Sequence, residues 1–298
     1  MSSSDQTPKI NPNQTLQSYY ASLESRIGYK LVLGGTRHFG YYNEDTYWPF
    51  PINRSLRAME DHLFNTLGLE QGAEVLDAGC GVGHVAMHLA GRGLRLQCID
   101  VVDRHIQQSR RNFKGHGLES SITVQKMDYH HMEAFADQTF DGAYTMETFV
   151  HATDPEAALK EFYRILKPGG SIALYEYDHS KINSTPKDLQ ESMNQINKYA
   201  AMPANDRFDT GVLQRMLEET GFQDVLVKDL TTNITPMLRL FFILAYIPFL
   251  IVKLLGLESR FVNTIAGVES YRGRKYWRYV AVSAKKPPGK KEAAGVRE

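Results

Sequence analysis

The sequence predicts an α/β fold, in which helices cover both faces of a mostly parallel sheet. Two observations lead to this prediction. Apolar strands alternate with amphipathic helices over residues 71–230, and a glycine-rich turn joins the first of these strands to the helix that follows it. The chain of 298 residues is long enough to bury a large core and to carry a cap on that core.

The elements of this fold follow one another in a regular order. We expect strands at 74–78, 94–100, 121–127, 140–146, 171–177, 224–229 and 276–283, and helices at 83–92, 103–115, 155–166, 188–201 and 210–220. The helix at 188–201 should form a wall of the cap. Gly221 suits the end of the helix at 210–220. The expected segments are a disordered tail at 1–15, a helical and aromatic arm at 16–70, the core at 71–230, an apolar cap insertion at 231–272, the last core strand at 273–285 and a second disordered tail at 286–298.

Composition argues against some classes of function. The formal net charge is zero and no basic stripe precedes the core, so no nucleic-acid partner is expected. The two cysteines, Cys80 and Cys98, indicate neither a disulfide framework nor a metal site, which fits a reducing compartment. The N-terminus lacks the apolar segment of a signal peptide. We therefore expect a cytoplasmic protein without a metal.

The first strand ends in an acid and a glycine-spaced turn. Asp77 is followed by Gly79, Gly81 and Gly83, which let the backbone turn sharply and approach a ligand closely. The next helix begins near His84 and directs its free N–H groups at the same place. The dinucleotide fingerprint G-x-G-x-x-G requires a later third glycine, because its last glycine packs helix against strand. The turn therefore predicts a cofactor loop whose spacing differs from that fingerprint.

This spacing resembles the first motif of class I S-adenosylmethionine-dependent methyltransferases. Asp100, with Val101 after it, ends the second strand, where an acid can accept hydrogen bonds from both ribose hydroxyls. Asp128 and Tyr129 follow the third strand, where the resemblance places the acid that binds the adenine amino group. The resemblance implies S-adenosylmethionine as cofactor and a Rossmann-like sheet of seven strands, the last one antiparallel. NAD shares the ribose, so an NAD-type oxidoreductase is an alternative, as is a non-catalytic lipid-binding protein of this fold.

The segment after the fourth strand narrows the resemblance. Glu147-Thr-Phe-Val-His151-Ala-Thr-Asp-Pro155 and Tyr163-Arg-Ile-Leu-Lys-Pro-Gly169 are similar to stretches of sterol 24-C-methyltransferases. The similarity covers residues 70–178 and, weakly, 267–287. His151 is a candidate general base, with a loop-holding histidine as the alternative. Glu147 is a candidate for holding the cofactor or offsetting positive charge, with a capping carboxylate as the alternative.

The arm before the core carries the other candidate for cofactor binding. Residues 33–42 resemble the glycine- and aromatic-rich arm that covers adenosylmethionine in many natural-product methyltransferases. Aromatic faces attract a sulfonium cation, so Tyr41 is a candidate lid residue, with a structural role as the alternative. Residues 38–51 replace the aromatic sterol-binding signature of sterol methyltransferases. The resemblance thus implies methyl transfer to a lipophilic small molecule, either a secondary metabolite or a sterol-like lipid, on carbon, oxygen or nitrogen.

The cap insertion contains the apolar run 240–252, flanked by Arg239 and Lys253. A spanning helix needs about twenty apolar residues, whereas this run is shorter and contains Pro248. We therefore do not expect a simple transmembrane anchor. Three alternatives stay open for 239–253: a buried cap helix that lines an apolar pocket, a peripheral membrane contact and a homodimer contact.

Overall fold

The protein folds around one mixed β-sheet. A computed structural model describes residues 8–22, 24, 30–180 and 184–289 of the chain. The strands are β1 (Glu74–Ala78), β2 (Arg95–Asp100), β3 (Ile122–Lys126), β4 (Phe140–Met146), β5 (Leu166–His179), β6 (Gln223–Asp229) and β7 (Trp277–Lys285).

The order of the strands is β3-β2-β1-β4-β5-β7-β6. Strands β1 to β5 run parallel, and β7 lies antiparallel between β5 and β6. The predicted α/β sheet of seven strands with an antiparallel last strand is therefore confirmed. Chain order reverses between β1 and β4, which is where ligands bind at the carboxyl ends of such sheets. Strand β5 begins earlier than the predicted 171–177 and contains a bulge at 167–170, because Phe140 pairs with Leu166 and Gly142 pairs with Ser171.

Helices cover both faces of the sheet. In the described parts of the chain they include α1 (Gln14–Ala21), α2 (Ile52–Leu67), α3 (His84–Gly91), α4 (Asp103–Gly115), α5 (Pro155–Ile165), α6 (Lys187–Tyr199), α7 (Val212–Thr220), α8 (Thr231–Leu255) and α9 (Val262–Gly273). One apolar core joins the sheet to α5 and α7, and a second core joins the other face to α2, α3, α4 and the start of α8. The Asp154 carboxylate caps α5 by accepting the Ala157 N–H at 2.9 Å.

Helix α8 differs from its prediction. It is continuous over 25 residues, although it contains Pro236 and Pro248. Helix α9 packs along it on both sides of Pro248, since a side chain at Gly267 would come within 3.3 Å of Ala245, and Phe249 and Val252 pack against Ile265 and Val268. Within the described residues, α8 is the one helix that is long and apolar enough to cross a membrane by length and composition. The helix therefore extends beyond the apolar run 240–252 at both ends, and the expectation that it is not a simple transmembrane anchor stays a prediction.

The described parts of the two predicted tails contact the core. The backbone N–H of Asn11 donates to Asp128 at 2.8 Å, and the amide of Asn13 donates to the carbonyl oxygen of Ala201 at 3.1 Å. At the other end, the Lys286 ammonium group donates to the carbonyl oxygens of Tyr163 and Leu166. These polar segments donate hydrogen bonds to acceptors that lie far away in the sequence. Residues 1–7 and 290–298 lie outside the described residues.

Candidate functional site

A cavity of about 320 Å³ lies at the carboxyl ends of β1 to β4. This volume is near the lower end of the range for small-molecule sites, which is roughly 300–1,000 Å³. The core supplies one wall, and α1 and the arm supply the other. The lining residues fall within 10–20, 35–38, 77–85, 100–105, 127–130 and 144–153.

The glycine turn after β1 has a backbone that other residues adopt poorly. Gly79 has a φ of 90°, and a Cβ there would come within 2.7 Å of the Thr148 side chain. Gly83 has a φ of 84°, and a Cβ there would meet the Phe113 ring at 2.4 Å. The N–H of Gly81 donates to Asp100 at 2.9 Å, which fixes the turn against the end of β2. The predicted cofactor loop is thus formed as expected, with Gly79 and Gly81 on the cavity wall.

Asp100 is a buried carboxylate at the end of β2, and it lines the cavity together with Val101. Burial opposes its charge, but His105 and the N–H groups of Val102 and Gly81 outweigh burial and hold its pKa below the usual range. The Val102 N–H donates at 2.8 Å, and the His105 Nδ1 lies 3.2 Å from the carboxylate. Asp100 is therefore an ionised acceptor where the ribose contact was predicted.

Asp128 lies after β3, as predicted, and also lines the cavity. Burial again opposes its charge, but the hydrogen bond and charge of His130 outweigh burial and lower its pKa. One of its oxygens accepts the N–H of Asn11 at 2.8 Å, so the segment before α1 lies over the acid expected to bind adenine. The adjacent Tyr129 lines the cavity and donates its hydroxyl to the Thr148 carbonyl oxygen at 3.1 Å.

Asp77 presents a buried acceptor oxygen to the cavity. Its Oδ2 is buried and makes no hydrogen bond within the described part of the chain. Burial raises the pKa of Asp77 to about 7, and the nearby Tyr144 hydroxyl opposes this rise. A buried polar atom without a partner is rare in proteins, and this one lies on the cavity wall beside the glycine turn. Asp77 therefore fits a cationic or N–H group of a ligand.

Glu147 ties the arm to the sheet. Its φ is 57°, and it follows β4 directly. One carboxylate oxygen accepts the Phe39 N–H at 2.9 Å and the Tyr279 hydroxyl at 3.0 Å, and the other accepts the Tyr177 hydroxyl. Burial raises its pKa against these hydrogen bonds. Glu147 lines the cavity as predicted, but both of its oxygens already hold donors from the arm, β5 and β7.

His151 lines the cavity with both ring nitrogens engaged. Its Nδ1 lies 2.8 Å from the Ala201 carbonyl oxygen, which can only accept, so Nδ1 carries the proton. Its Nε2 lies 2.9 Å from the Tyr20 hydroxyl, which therefore donates to it. Burial lowers the pKa of His151 to about 4, so the ring is neutral near pH 7. This arrangement matches the loop-holding alternative more closely than that of a free base.

Tyr41 does not line the cavity. Its ring stacks on His62 with centroids 5.0 Å apart, and its N–H donates to the Ser55 carbonyl oxygen at 2.9 Å. The arm reaches the cavity through residues 35–38 instead. After Phe39 the arm passes closely over α2, because a Cβ at Gly40 would collide with the Ser55 side chain. Tyr41 thus packs on α2 in this structure, as in the structural alternative, and its lid role stays a prediction.

Three residues that line the cavity were not predicted from the sequence as site residues. His84 begins α3 directly after the glycine turn, and burial lowers its pKa. The Arg37 guanidinium lies 4.8 Å from the ring centre of Tyr20, and both residues line the cavity. The position of His84 in the motif could have indicated it, whereas nothing local distinguishes Tyr20. Within the described ranges, no group of three His, Cys, Asp or Glu side chains is placed to hold a metal ion.

Comparison with known proteins agrees with this geometry. A family model described as a methyltransferase domain matches residues 76–174. The chain is 42% identical over 278 residues to the S-adenosyl-L-methionine-dependent Diels-Alderase iccD of Talaromyces variabilis, covering 92% of this chain and 95% of that protein. It is 32% identical over 168 residues to the sterol 24-C-methyltransferase erg6 of Aspergillus fumigatus, covering 55% of this chain and 42% of that protein.

A solved structure shows the same fold at low sequence identity. The [4+2]-cyclase SpnF superposes with a TM-score of 0.71 at 20% identity, covering 95% of this chain and 98% of that chain. The glycine turn, the ionised Asp100 and the buried Oδ2 of Asp77 fit adenosylmethionine, which carries a ribose and an ammonium group. The chain therefore belongs to the class I S-adenosylmethionine-dependent methyltransferase-fold family, among its natural-product and sterol-methyltransferase-like members, and S-adenosylmethionine rather than NAD is its cofactor.

Proposed function

We propose that this protein is an S-adenosylmethionine-dependent cyclase that catalyses a [4+2] cycloaddition within a lipophilic polyene. The observation that carries this proposal is the identity of 42% with a Diels-Alderase over nearly the whole of both chains. The sequence alone predicted methyl transfer to a lipophilic small molecule, and that reaction is the second candidate. The methyltransferase domain match and the sterol 24-C-methyltransferase similarity favour the second candidate.

The two predicted catalytic residues, Glu147 and His151, already accept hydrogen bonds from other protein groups, and this supports cyclisation. In a [4+2] cycloaddition, a diene and an alkene form two carbon–carbon single bonds while three double bonds become one, and no atom or proton is lost. The reaction therefore needs no general base. His151 and Glu147 hold other groups through all of their acceptor atoms, which suits such a reaction. Methylation of an alkene, by contrast, ends with the loss of a proton to a base.

The protein can accelerate such a reaction by folding the polyene and by polarising it. Leu16, Val85 and Met146 give the cavity apolar surface against which a polyene can bend. We assign to Arg37 and His84 the donation of hydrogen bonds to a carbonyl oxygen conjugated with the reacting alkene. Arg37 is cationic, and a neutral His84 still has one N–H to donate. The His84 ring makes no hydrogen bond with the described residues and is close to Gly35 of the arm.

The cofactor has a different task in each candidate reaction. When bound, S-adenosylmethionine supplies a fixed positive charge beside the substrate for cyclisation, or the transferred methyl group for methylation. Asp77, Asp100 and Asp128 line the cavity, and we assign to them the binding of its ammonium, ribose and adenine groups, respectively. The two candidates therefore share a cofactor site and differ in whether the methyl group leaves the cofactor.

Product mass separates the two candidates. Purified protein is incubated with methyl-labelled adenosylmethionine and pools of linear polyenes, sterols, phenols and amines. Cyclisation gives a product of unchanged mass, many turnovers per cofactor and no release of adenosylhomocysteine. Methyl transfer gives a labelled product that is heavier by one CH₂ and one adenosylhomocysteine per product. If every product carries the label, the cyclase proposal is wrong.

A further inference from the structure

The second half of α8 exposes a row of apolar side chains. They recur every three or four residues and therefore share one face of the helix over about 18 Å. Together they form an apolar surface of a kind that soluble proteins normally bury. We call this set the α8 ridge, and it consists of Ile243, Leu244, Tyr246, Ile247, Leu250, Ile251, Leu254 and Leu255.

Exposed aromatic residues of the arm lie beside the start of the ridge. Tyr47, Trp48 and Phe50 are all exposed. The Arg239 guanidinium lies 3.8 Å from the ring centre of Tyr47 and donates to its carbonyl oxygen. Because Arg239 is one helical turn before Ile243, the aromatic residues continue the ridge. Tryptophan and tyrosine are the side chains that prefer the boundary between lipid and water.

Both charged residues of helix α8 itself are positive, whereas Glu44 and Asp45, which are exposed, precede the aromatic residues of the arm. Arg239 and Lys253 are the charged residues of α8, which contains no acid. Arg260, shortly after the helix, is also exposed, and Lys253 lies 3.6 Å from Glu258. We call Arg239, Lys253 and Arg260 the cationic rim. A two-fold contact between copies of the chain would bring two such cationic rims together, and like charges repel. Anionic lipid headgroups would instead match them in charge.

The opposite face of α8 is fixed to the protein. Phe249 and Val252 pack against Ile265 and Val268 of α9. Near the start of the helix, the Asn233 amide donates to the Tyr42 carbonyl oxygen at 2.8 Å. To span a bilayer, α8 would have to leave both contacts and expose these groups. The helix can meet lipid with one face only, parallel to the membrane plane.

We propose that the α8 ridge and residues 47–50 insert into one leaflet of an anionic lipid membrane. The aliphatic side chains enter the boundary between headgroups and acyl chains, and the cationic rim contacts the headgroups. This placement suits a protein whose substrate dissolves in lipid, but it rests on the ridge and not on the proposed reaction. A failure of the cyclase proposal would leave it standing.

Vesicle partitioning tests the proposal with the full chain. Phosphatidylcholine vesicles with and without phosphatidylserine are floated with the protein. We expect binding to be stronger with phosphatidylserine and weaker at high salt. Ile247→Glu and Leu254→Glu should each lower the partition coefficient by about tenfold or more, because each places a charge among the inserted side chains. Leu226→Glu is the matched control, because Leu226 on β6 and Ile247 are both 63% exposed, and its partitioning should not change.

Tryptophan fluorescence locates the contact. The chain has two tryptophans, Trp48 beside the ridge and the partly buried Trp277 at the start of β7. With brominated lipids, the variant Trp277→Phe, which keeps Trp48, should be quenched on binding. The variant Trp48→Phe should not. Quenching of Trp277 alone would overturn the proposed orientation.

Other outcomes would also overturn the proposal. One is no partitioning of the unaltered protein into either vesicle. A second is a dimer in solution that Ile247→Glu converts to a monomer, without vesicle binding, which would assign the ridge to a second copy. A third is resistance of the bound protein to extraction by alkaline carbonate, which would indicate a spanning helix. Circular dichroism and thermal unfolding of each variant show whether a loss of vesicle binding is due to misfolding. Because Ile247→Glu and Leu254→Glu are separate substitutions, misfolding of one of them leaves the other as a test.

Discussion

The two sides of the cavity are held together in different ways. On the cofactor side, most of the groups that hold the acids lie close in sequence, since His105 is 5 residues from Asp100 and His130 is 2 residues from Asp128, and Asn11 is the distant exception. On the cap side, the hydrogen bond from Phe39 to Glu147 joins residues 108 apart, and that from Tyr20 to His151 joins residues 131 apart. The cofactor side is thus organised by the core itself, whereas the cap side depends on docking of the arm and α1.

The largest effect is expected on the cofactor side, from Asp100→Ala. This change removes the acceptor of the Gly81 and Val102 N–H groups, and each buried group left unpaired costs about 1–3 kcal/mol. It also removes the predicted ribose contact. Affinity for adenosylhomocysteine should fall at least about a hundredfold, together with a loss of stability. Calorimetric titration and urea unfolding measure the two effects.

Asp103→Ala is the control for this prediction. Asp103 is exposed in the first turn of α4 and pairs with Lys126 at 2.8 Å. Exposed pairs contribute at most about 1 kcal/mol, so affinity should stay the same. Unchanged cofactor affinity in Asp100→Ala would remove the ribose assignment.

The cofactor side was also the side that the sequence predicted well. Asp77, Gly79, Gly81, Asp100 and Asp128 lie where the motif spacing placed them. Local motifs are enough to predict these positions, because each of these residues lies at or just after the carboxyl end of a strand. Parallel strands bring their carboxyl ends, and so these residues, to one edge of the sheet. The order of the elements and the antiparallel β7 were predicted for the same reason, together with the family resemblance.

The cap side could not be predicted in this way. Tyr41 was chosen for its aromatic ring, but Gly40 and the contact with Ser55 direct the arm so that residues 35–38 reach the cavity. Asn11 fell in a segment of polar composition, and its role depends on an acceptor 117 residues away. Helix α8 was underestimated because Pro248 usually breaks a helix, whereas packing against α9 holds this one. Such contacts depend on tertiary structure that local patterns do not contain.

Glu147→Gln tests whether the two sides are separable. An amide has one accepting oxygen where the carboxylate has two, so the variant side chain cannot accept the Phe39 N–H of the arm on one oxygen and the Tyr177 hydroxyl of β5 on the other, and the charged acceptor that holds the arm is lost. We expect turnover to fall by about ten- to a hundredfold, while cofactor affinity changes by less than about threefold. Turnover and calorimetric titration of the same preparation give both values.

Glu156→Gln serves as the matched control, because Glu156 is exposed and pairs with Arg207 at the surface. Neither turnover nor affinity should change in this variant. An equal loss of turnover and cofactor affinity in Glu147→Gln would contradict the separation of the two sides.

The pH dependence of cofactor binding should reveal Asp77. Its pKa of about 7, raised by burial, means that the free protein carries mainly the neutral acid below pH 7 and the carboxylate above it. Because a cation binds the carboxylate, affinity should rise by up to about tenfold per pH unit below this pKa and level off above it. Titrations with adenosylhomocysteine from pH 5.5 to 8.5, about three pH units, would show this curve, and Asp77→Asn should flatten it. A curve that is identical in both proteins would exclude Asp77 from binding the cation.

The smallest effect is expected from Tyr20→Phe, which removes the hydroxyl that donates to Nε2 of His151. A hydrogen bond of this kind contributes about 1 kcal/mol, so turnover should fall roughly fivefold if the pair holds α1 over the cavity. His151→Ala should then lower turnover by a similar factor, and the double variant should lower it little further. The pH profile of turnover should show no step near pH 6.5, because the pKa of His151 is about 4. If His151 is a general base, Tyr20→Phe frees its Nε2 and preserves turnover, while His151→Ala abolishes it. Turnover of the four proteins across pH decides between the two roles.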